Sequence, residues 1–132
     1  MNTVYDFLKQ AGTYYLATVD GDQPKVRPFG TVNIFEDKLY IQTGKAKNVS
    51  KQIQKNGKVQ LCAMNKAGNK WLRLSGTLVR DDRREPKVHM LEAYPELKRM
   101  YSPDDENTEV LYFKDATATF CSFTEPPRTV KF

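Results

Sequence analysis

The residues whose types and spacing could do chemistry lie in two short stretches of the chain, Val26–Gly30 and Gln42–Asn48. The first contains Arg27, whose guanidinium group can bind a phosphate through two parallel hydrogen bonds. The second leads into a helical pattern, and the first amide groups of a helix attract anions because they have no partner within the helix. We therefore predict that these stretches hold a phosphorylated planar cofactor, with Pro28 and Phe29 bordering its ring.

Polar residues in the second stretch support this prediction. Thr43 supplies a hydroxyl group, and Gly44 lets a ligand approach the backbone closely. Positive charge and a further hydrogen-bond donor come from Lys45, Lys47 and Asn48. The same residues also allow a simpler interpretation, in which Arg27 is a solvated strand residue and the lysines merely cover the outside of a helix.

The distribution of charge indicates an anionic partner. The formal net charge is +5, yet the segment from Lys38 to Arg80 contains eight Lys, two Arg and no Asp or Glu. Acidic residues are concentrated between Asp81 and Glu109. Such asymmetry predicts a basic surface that faces an anion. A phosphorylated small molecule, a nucleic acid or an acidic patch on a second subunit would each satisfy it.

Several other kinds of site are disfavoured by the residues present. A P-loop would need glycine and Ser or Thr at positions occupied by Leu39 and Ala46. The single histidine, His89, lies in a helical region, where a surface or core-rim position is expected rather than a catalytic or haem-binding role. Cys62 and Cys121 form no metal-binding motif and are predicted to be reduced thiols of a cytoplasmic protein. No apolar run is long enough to span a membrane.

The hydrophobic pattern predicts one mainly β domain over residues 1–132, with a few short helices. Helices are predicted at Asn2–Ala11, at Asn48–Lys55, and from a capping box at Asp82 and Glu85 to about Tyr101, with an interruption before Pro95. The apolar residues after the interruption are predicted to pack over one end of the sheet. Strands are predicted at 13–19, 24–35, 38–43, 58–64, 71–80, 109–113 and 116–123. Because Pro28 has no amide to donate, it is predicted at an edge, at a bulge or where a ligand replaces the partner strand. Six or seven strands with short hairpins predict an antiparallel sheet closed into a barrel.

This arrangement makes two predictions about side chains that could touch a ligand. If the strand from Lys38 to Thr43 pairs with the strand before it, Arg27 and Thr43 approach each other across the sheet. In the strand 71–80, alternation places Trp71 and Arg73 on one face. Trp71 is predicted to pack in the core or at a subunit interface, with contact to a ligand as the alternative.

At this point the sequence resembles the FMN-binding split β-barrel proteins related to pyridoxamine 5′-phosphate oxidase. The resemblance covers nearly the whole chain and depends on the order and spacing of several segments. They are the opening helix, Tyr14–Thr18, Arg27–Phe29, Ile41–Asn48, Trp71–Gly76 and Lys114–Phe120.

The resemblance implies a homodimer with two FMN molecules in clefts at the subunit interface. It implies that the FMN phosphate is held by Arg27, Thr43, Lys45, Lys47 and Asn48. Pro28 and Phe29 would border the isoalloxazine ring. Trp71 and Arg73 of the second subunit would close the cleft.

The resemblance also implies an FMN-dependent oxidoreductase, in which NAD(P)H or another reductant loads the flavin and a small molecule accepts the electrons. The chain departs from pyridoxamine phosphate oxidases in its last residues, 128–132, which lack the histidine that helps those enzymes bind substrate phosphate. A flavoprotein with a different substrate is therefore expected. The alternatives are an FMN-binding or sensing protein without turnover, and a basic barrel that binds nucleic acid. The latter is disfavoured because no aromatic residue lies between Lys45 and Lys70.

Overall fold

The computed structural model describes residues 1–132 as one antiparallel β-sheet with helices packed on it. The helices are α1 (Asn2–Ala11), α2 (Asn48–Lys55), α3 (Arg84–Ala93) and a 3₁₀ helix at Pro95–Arg99. The strands are β1 (Tyr14–Asp20), β2 (Gln23–Phe29), β3 (Asn33–Phe35), β4 (Lys38–Gly44), β5 (Lys58–Met64), β6 (Lys70–Asp81), β7 (Thr108–Ser122) and β8 (Arg128–Lys131). The predicted bounds of α1, α2 and β5 are confirmed. None of these helices has the length and apolar character needed to cross a membrane.

The sheet curls round but is left open at one side. Its strand order is β2-β1-β5-β6-β7-β4-β3, with β8 added to β7. The two end strands, β2 and β3, follow each other in the chain and are joined by residues 30–32. The mainly β, antiparallel barrel predicted from the sequence is confirmed, but it has eight strands rather than six or seven. The predicted strand 24–35 divides where the chain crosses the opening, and the tail forms β8.

The two longest strands, β6 and β7, connect the two halves of the sheet. Their register shifts between Ser75 and Thr77, which marks a β-bulge. At the bulge, a Cβ atom on Gly76 would lie 3.1 Å from the carbonyl oxygen of Lys114, so the backbones approach too closely for a larger residue without adjustment. The predicted strand or hairpin at 109–123 is therefore one bent strand, with Asp115 at a φ of 53°.

The core fills the inside of the curled sheet and is covered by the helices. In β5 every second residue is buried, as expected for a strand with one face on the core. Helix α1 contributes Val4 and Leu8, and α2 contributes Val49 and Ile53. Because α2 is anchored by apolar side chains on its inner face, its first turn is held in a fixed position at the rim of the sheet.

The start of α3 differs from the prediction. The helix begins at Arg84, after an N-cap at Arg83 that makes no side-chain capping bond. The predicted capping box of Asp82 and Glu85 is therefore wrong. The carboxylate of Asp82 instead lies 3.1 Å from the Lys45 ammonium group. The predicted interruption before Pro95 is confirmed, because α3 ends at Ala93 and a 3₁₀ helix follows.

Asp81, at the end of β6, connects the start of α3 to the sheet through hydrogen bonds. Its carboxylate accepts hydrogen bonds from the Tyr40 hydroxyl at 2.7 Å and from the Arg83 guanidinium at 2.9 Å. The Arg83 hydrogen bonds, together with the weaker effect of the Tyr40 bond, lower the pKa of Asp81 to about 2 against the opposing effect of burial. The carboxylate is consequently charged at neutral pH.

We expect Asp81→Asn to lower the thermal midpoint at pH 7 by several degrees, because the charged hydrogen bonds are lost. Since the folded pKa of about 2 lies below the unfolded value, the stabilisation is present above about pH 4 and disappears as the pH falls towards 2. Thermal unfolding at a series of pH values checks this. The midpoints of the two proteins should converge at the acid end. A difference that stays constant down to pH 2 would contradict the assignment.

Candidate functional site

A cleft of about 220 Å³ lies where the sheet is open. One side is formed by the end of β2 and the crossing segment 30–32, and the other by the end of β4 and the first residues of α2. The 3₁₀ helix and the residues after it form the far wall. The lining residues are Arg27, Pro28, Phe29, Gly30, Thr31, Gln42, Thr43, Lys47, Val49, Leu97, Met100 and Tyr101. Five of the nine predicted site residues therefore line one cleft.

Arg27 is held rigidly between the β1–β2 hairpin and α2. Its Nη1 donates to the Leu16 carbonyl oxygen at 3.2 Å and to the Thr18 hydroxyl at 2.7 Å, and its Nη2 donates to the Gln52 amide oxygen at 2.7 Å. Partial burial lowers its pKa, but a guanidinium group remains protonated at neutral pH. A guanidinium has five N–H donors, so two remain for a ligand. The structure thus presents Arg27 as a fixed, half-buried positive charge at the end of the cleft.

The start of α2 has unpaired amide groups beside Arg27. The backbone N–H groups of Asn48 and Val49 have no hydrogen-bond partner, and no side chain caps the helix. Lys47, the N-cap residue, is exposed and forms no ion pair. Asn48 is also exposed, with a side-chain amide that makes no hydrogen bond in the protein. These groups together give one end of the cleft the donors and the positive charge that a phosphate requires.

Asn107 accepts hydrogen bonds from two backbone amides of the turn just before α2, so these two amides are not available to a ligand. The Asn107 carbonyl oxygen accepts from the Lys45 amide at 2.7 Å, and its side-chain oxygen accepts from the Ala46 amide at 3.0 Å. The loop holding Asn107 is organised by Asp105. Burial alone would raise the pKa of Asp105, but amide donors including that of Thr108 lower it to about 2. The structure places the Lys45 side chain outside the cleft, on Asp82.

Thr43 lies in the cleft, but for a different structural reason from the predicted one. The predicted pairing of the strand 24–35 with the strand 38–43 is confirmed only at its hairpin end, where β3 pairs with β4. It is wrong at Arg27, because β2 pairs only with β1. The two residues line the same cleft because their strands face each other across the opening of the sheet. Thr43 is almost fully buried, and its hydroxyl makes no hydrogen bond within the protein. This unpaired hydroxyl is therefore available to a ligand in the cleft.

Pro28 and Phe29 form the β2 side of the cleft. Pro28 lies on an edge strand, as predicted from its missing amide donor. The Phe29 ring packs against Tyr14, with ring centroids 5.9 Å apart. Burial raises the pKa of Tyr14, which keeps its hydroxyl protonated for the 2.6 Å hydrogen bond to the Thr31 carbonyl oxygen. The segment that crosses the opening is thus tied down directly beside Phe29.

The far wall of the cleft was not predicted from the sequence. Apolar residues in this region were predicted to pack over one end of the sheet, but Met100 is 71% exposed and borders the cleft with Leu97 and Tyr101. A Cβ atom on Gly44 would lie 3.1 Å from the Tyr101 hydroxyl, so the glycine makes room for this side chain. No local sequence signal identifies such a wall, because its residues are brought to the cleft only by the packing of α3.

Trp71 and Arg73 lie away from this cleft, on the outer face of the sheet. Trp71 is half-buried against Phe123, with ring centroids 5.1 Å apart, and Arg73 is exposed. Their predicted contact with a cofactor concerns a second subunit and remains a prediction. His89 is exposed, as predicted, and its Nδ1 lies 2.6 Å from the Asn33 amide nitrogen, outside the cleft.

An antiparallel sheet left open at one side, with a cleft at the opening, defines the split β-barrel class. The family model for pyridoxamine 5′-phosphate oxidase matches residues 2–121. The chain therefore belongs to the pyridoxamine 5′-phosphate oxidase family. The predicted resemblance is confirmed at the level of the family.

Comparison with solved structures supports the same assignment. A NimC/NimA family protein from Clostridium acetobutylicum is 48% identical, with a TM-score of 0.96, and the match covers 100% of this chain and 92% of that one. An FMN-binding protein from Nostoc punctiforme, related to pyridoxamine 5′-phosphate oxidase, shares the fold at 14% identity and a TM-score of 0.66, over 99% and 95% of the chains. A heme-binding protein from Mycobacterium smegmatis shares the fold at 10% identity and a TM-score of 0.75. That match covers 96% of this chain and 57% of the other. A comparison with curated proteins found no match.

Proposed function

We propose that the protein is an FMN-dependent oxidoreductase, which receives electrons from NAD(P)H and passes them to a small-molecule acceptor. The observation that carries the proposal is the set of unpaired donors at one end of the cleft. Arg27, Thr43, Lys47 and Val49 line this cleft. Arg27 keeps two N–H donors, and the Val49 amide and the Thr43 hydroxyl have no partner in the protein. The unpaired Asn48 amide adjoins them. Unpaired donors beside a fixed positive charge fit the phosphate of FMN.

The rest of the cleft suits a ring. Pro28 and Phe29 lie on one side and Leu97, Met100 and Tyr101 on the other. The cleft contains no carboxylate and no histidine. Bound FMN would supply the redox chemistry itself, and the protein would bind it, orient it and exclude water from one side of the ring. This division of roles is consistent with a cleft whose side chains able to transfer a proton are only those of Lys47 and Tyr101.

We also propose that two copies associate through the outer face of the sheet. A row of residues runs across that face, in which Pro28, Tyr15, Cys62, Arg73 and Thr119 are cross-strand neighbours in order. Tyr15 is 54% exposed, and nearby Val26 and Met64 are exposed as well. Exposed apolar residues grouped on one face favour an interface. Pro28 belongs to both the row and the cleft. A second copy bound to this face would therefore lie beside the opening of the cleft, where its own Trp71 and Arg73 would contact the ligand.

We expect Tyr15→Glu to weaken dimer association by about 2 kcal/mol, or about thirtyfold in Kd, because it places a charge within an apolar contact. Sedimentation equilibrium over a range of protein concentrations measures this. Ala93→Glu, at an exposed position of α3 outside the row and the cleft, is the control and should leave association unchanged. A wild-type protein that is monomeric at every concentration, or a Tyr15→Glu protein that associates normally, would contradict the proposed interface.

The visible absorption spectrum of the purified protein, with FMN added if it is colourless, tests the proposed function. A flavin spectrum that bleaches with NADH or NADPH and recovers with a small acceptor is the expected result. A flavin spectrum that neither reductant changes would support binding or sensing without turnover. A haem spectrum, or no binding of added FMN, would contradict the proposal.

A further inference from the structure

A second, larger cavity of about 800 Å³ shares Arg27 with the cleft at the opening of the sheet, which will be called the split cleft. The second cavity lies between the β1–β2 hairpin and α2, and it will be called the basic groove. Arg27 borders both cavities, and Asn48 lies in the groove beside Lys47 and Val49 of the cleft. The lining residues are Val19, Asp20, Gly21, Lys25, Val26, Arg27, Asn48, Lys51, Gln52, Lys55 and Asn56. A ligand that passes the start of α2 therefore enters the groove.

The charge of the groove exceeds what a single phosphate needs. Besides Arg27 it contains Lys25, Lys51 and Lys55, against one carboxylate, that of Asp20. The three lysines form no ion pair with any carboxylate of the protein. Lys51 and Lys55 are four residues apart on α2, a spacing at which like charges destabilise a helix. Uncompensated positive charge around a concave surface concentrates a field that attracts anions.

We propose that the basic groove binds the second phosphate and the nucleoside of a dinucleotide flavin, so that the protein binds FAD as well as FMN. This inference rests on the proposed function, because it takes the flavin ring to lie in the split cleft. The first phosphate of the dinucleotide then lies at the start of α2, and the second phosphate and the nucleoside extend past Arg27 into the groove. Lys25 and Lys55 face that extension from opposite walls, one on β2 and one at the end of α2.

Titration of the ligand-free protein with riboflavin, FMN and FAD, followed by quenching of flavin fluorescence, tests the inference. FAD is expected to bind at least as tightly as FMN. Lys25→Gln with Lys55→Gln should raise the Kd of FAD by about tenfold or more, since two charged contacts are lost, and that of FMN by less than about threefold. Lys58→Gln with Lys66→Gln removes the same charge from exposed positions outside the groove and should change neither.

Three results would overturn the inference while leaving the proposed function in place. They are FAD binding weaker than FMN, equal losses of FMN and FAD in the Lys25 and Lys55 variant, and no loss of either. Weak FAD binding together with binding of ADP-ribose to the FMN-loaded protein would assign the groove to the dinucleotide donor instead. If none of the three flavins binds, the proposed function itself fails, and the inference fails with it.

Discussion

Arg27→Ala combined with Lys47→Ala is expected to abolish retention of FMN. Each side chain is placed to make a charged hydrogen bond to the phosphate, and such bonds contribute about 1.5–3 kcal/mol each. The combined loss corresponds to an increase of at least about 100-fold in the Kd of FMN. Titration with FMN, followed by fluorescence quenching, measures it.

Riboflavin separates a phosphate-binding role of Arg27 from a structural one. Arg27 bonds to Leu16, Thr18 and Gln52, so its removal also loosens the contact between the β1–β2 hairpin and α2. Arg27 therefore has a structural role in addition to its proposed contact with the phosphate. If the role is in phosphate binding, the affinity for riboflavin changes little while that for FMN collapses. Equal losses for both flavins would show that the cleft itself had been disrupted.

Two further variants complete this test. Lys58→Ala with Lys66→Ala removes the same charge from exposed positions outside the cleft and should bind FMN normally. Thr43→Val removes the unpaired hydroxyl without altering Arg27, and a selective loss of FMN affinity is expected. Unchanged FMN affinity in the Arg27 and Lys47 double variant would contradict the assignment of the phosphate site.

Arg80→Met is expected to produce the largest loss of stability among single substitutions near the site. Arg80 donates to the Glu109 carboxylate, which is fully buried and whose Oε1 has no hydrogen-bond partner. Removing one member of a buried ion pair leaves the other charge uncompensated and typically costs 3–5 kcal/mol; because Arg80 is partly exposed, we expect about 3 kcal/mol. Urea denaturation, with the slope compared between variants, measures it.

The double variant Arg80→Met with Glu109→Leu provides the control for this prediction. It removes both charges, so most of the lost stability should return. The residues also touch α2, because Gln54 donates to Glu109 at 3.3 Å and Arg80 donates to Ser50 at 3.4 Å. A weaker FMN affinity in the single variant is therefore expected to accompany the loss of stability. A double variant as unstable as Arg80→Met would contradict the assigned role of the pair.

The secondary structure around the site could be predicted because its signals are local. The bounds of α1, α2 and β5 follow from apolar periodicity and from the residues that stop each element. The sequence also placed Arg27 and the start of α2 in one site, since a guanidinium and an unpaired helix terminus select for the same ligand. In the same way, Pro28 indicated an edge strand because it has no amide to donate.

The prediction was wrong where it depended on which distant strands meet. Arg27 and Thr43 share a cleft because the sheet stays open between β2 and the β3–β4 hairpin, and not because β2 and β4 pair. No local signal in the sequence distinguishes Lys45 from Lys47 as a phosphate ligand. In the structure Lys45 pairs with Asp82, which lies between β6 and α3 and is far from Lys45 in the chain. The amides of the same turn are occupied by Asn107, a residue in the loop before β7.

By itself, the sequence determined the types of element, the residues of the proposed phosphate site and the family. It did so because the properties of helix starts, edge prolines and basic segments depend only on residues a few positions apart. Only the tertiary structure decided which donors remain free, where the sheet opens, and that Leu97, Met100 and Tyr101 complete the cleft. Those features depend on contacts between residues far apart in the chain, and such contacts are fixed only when the whole sheet has formed around its core.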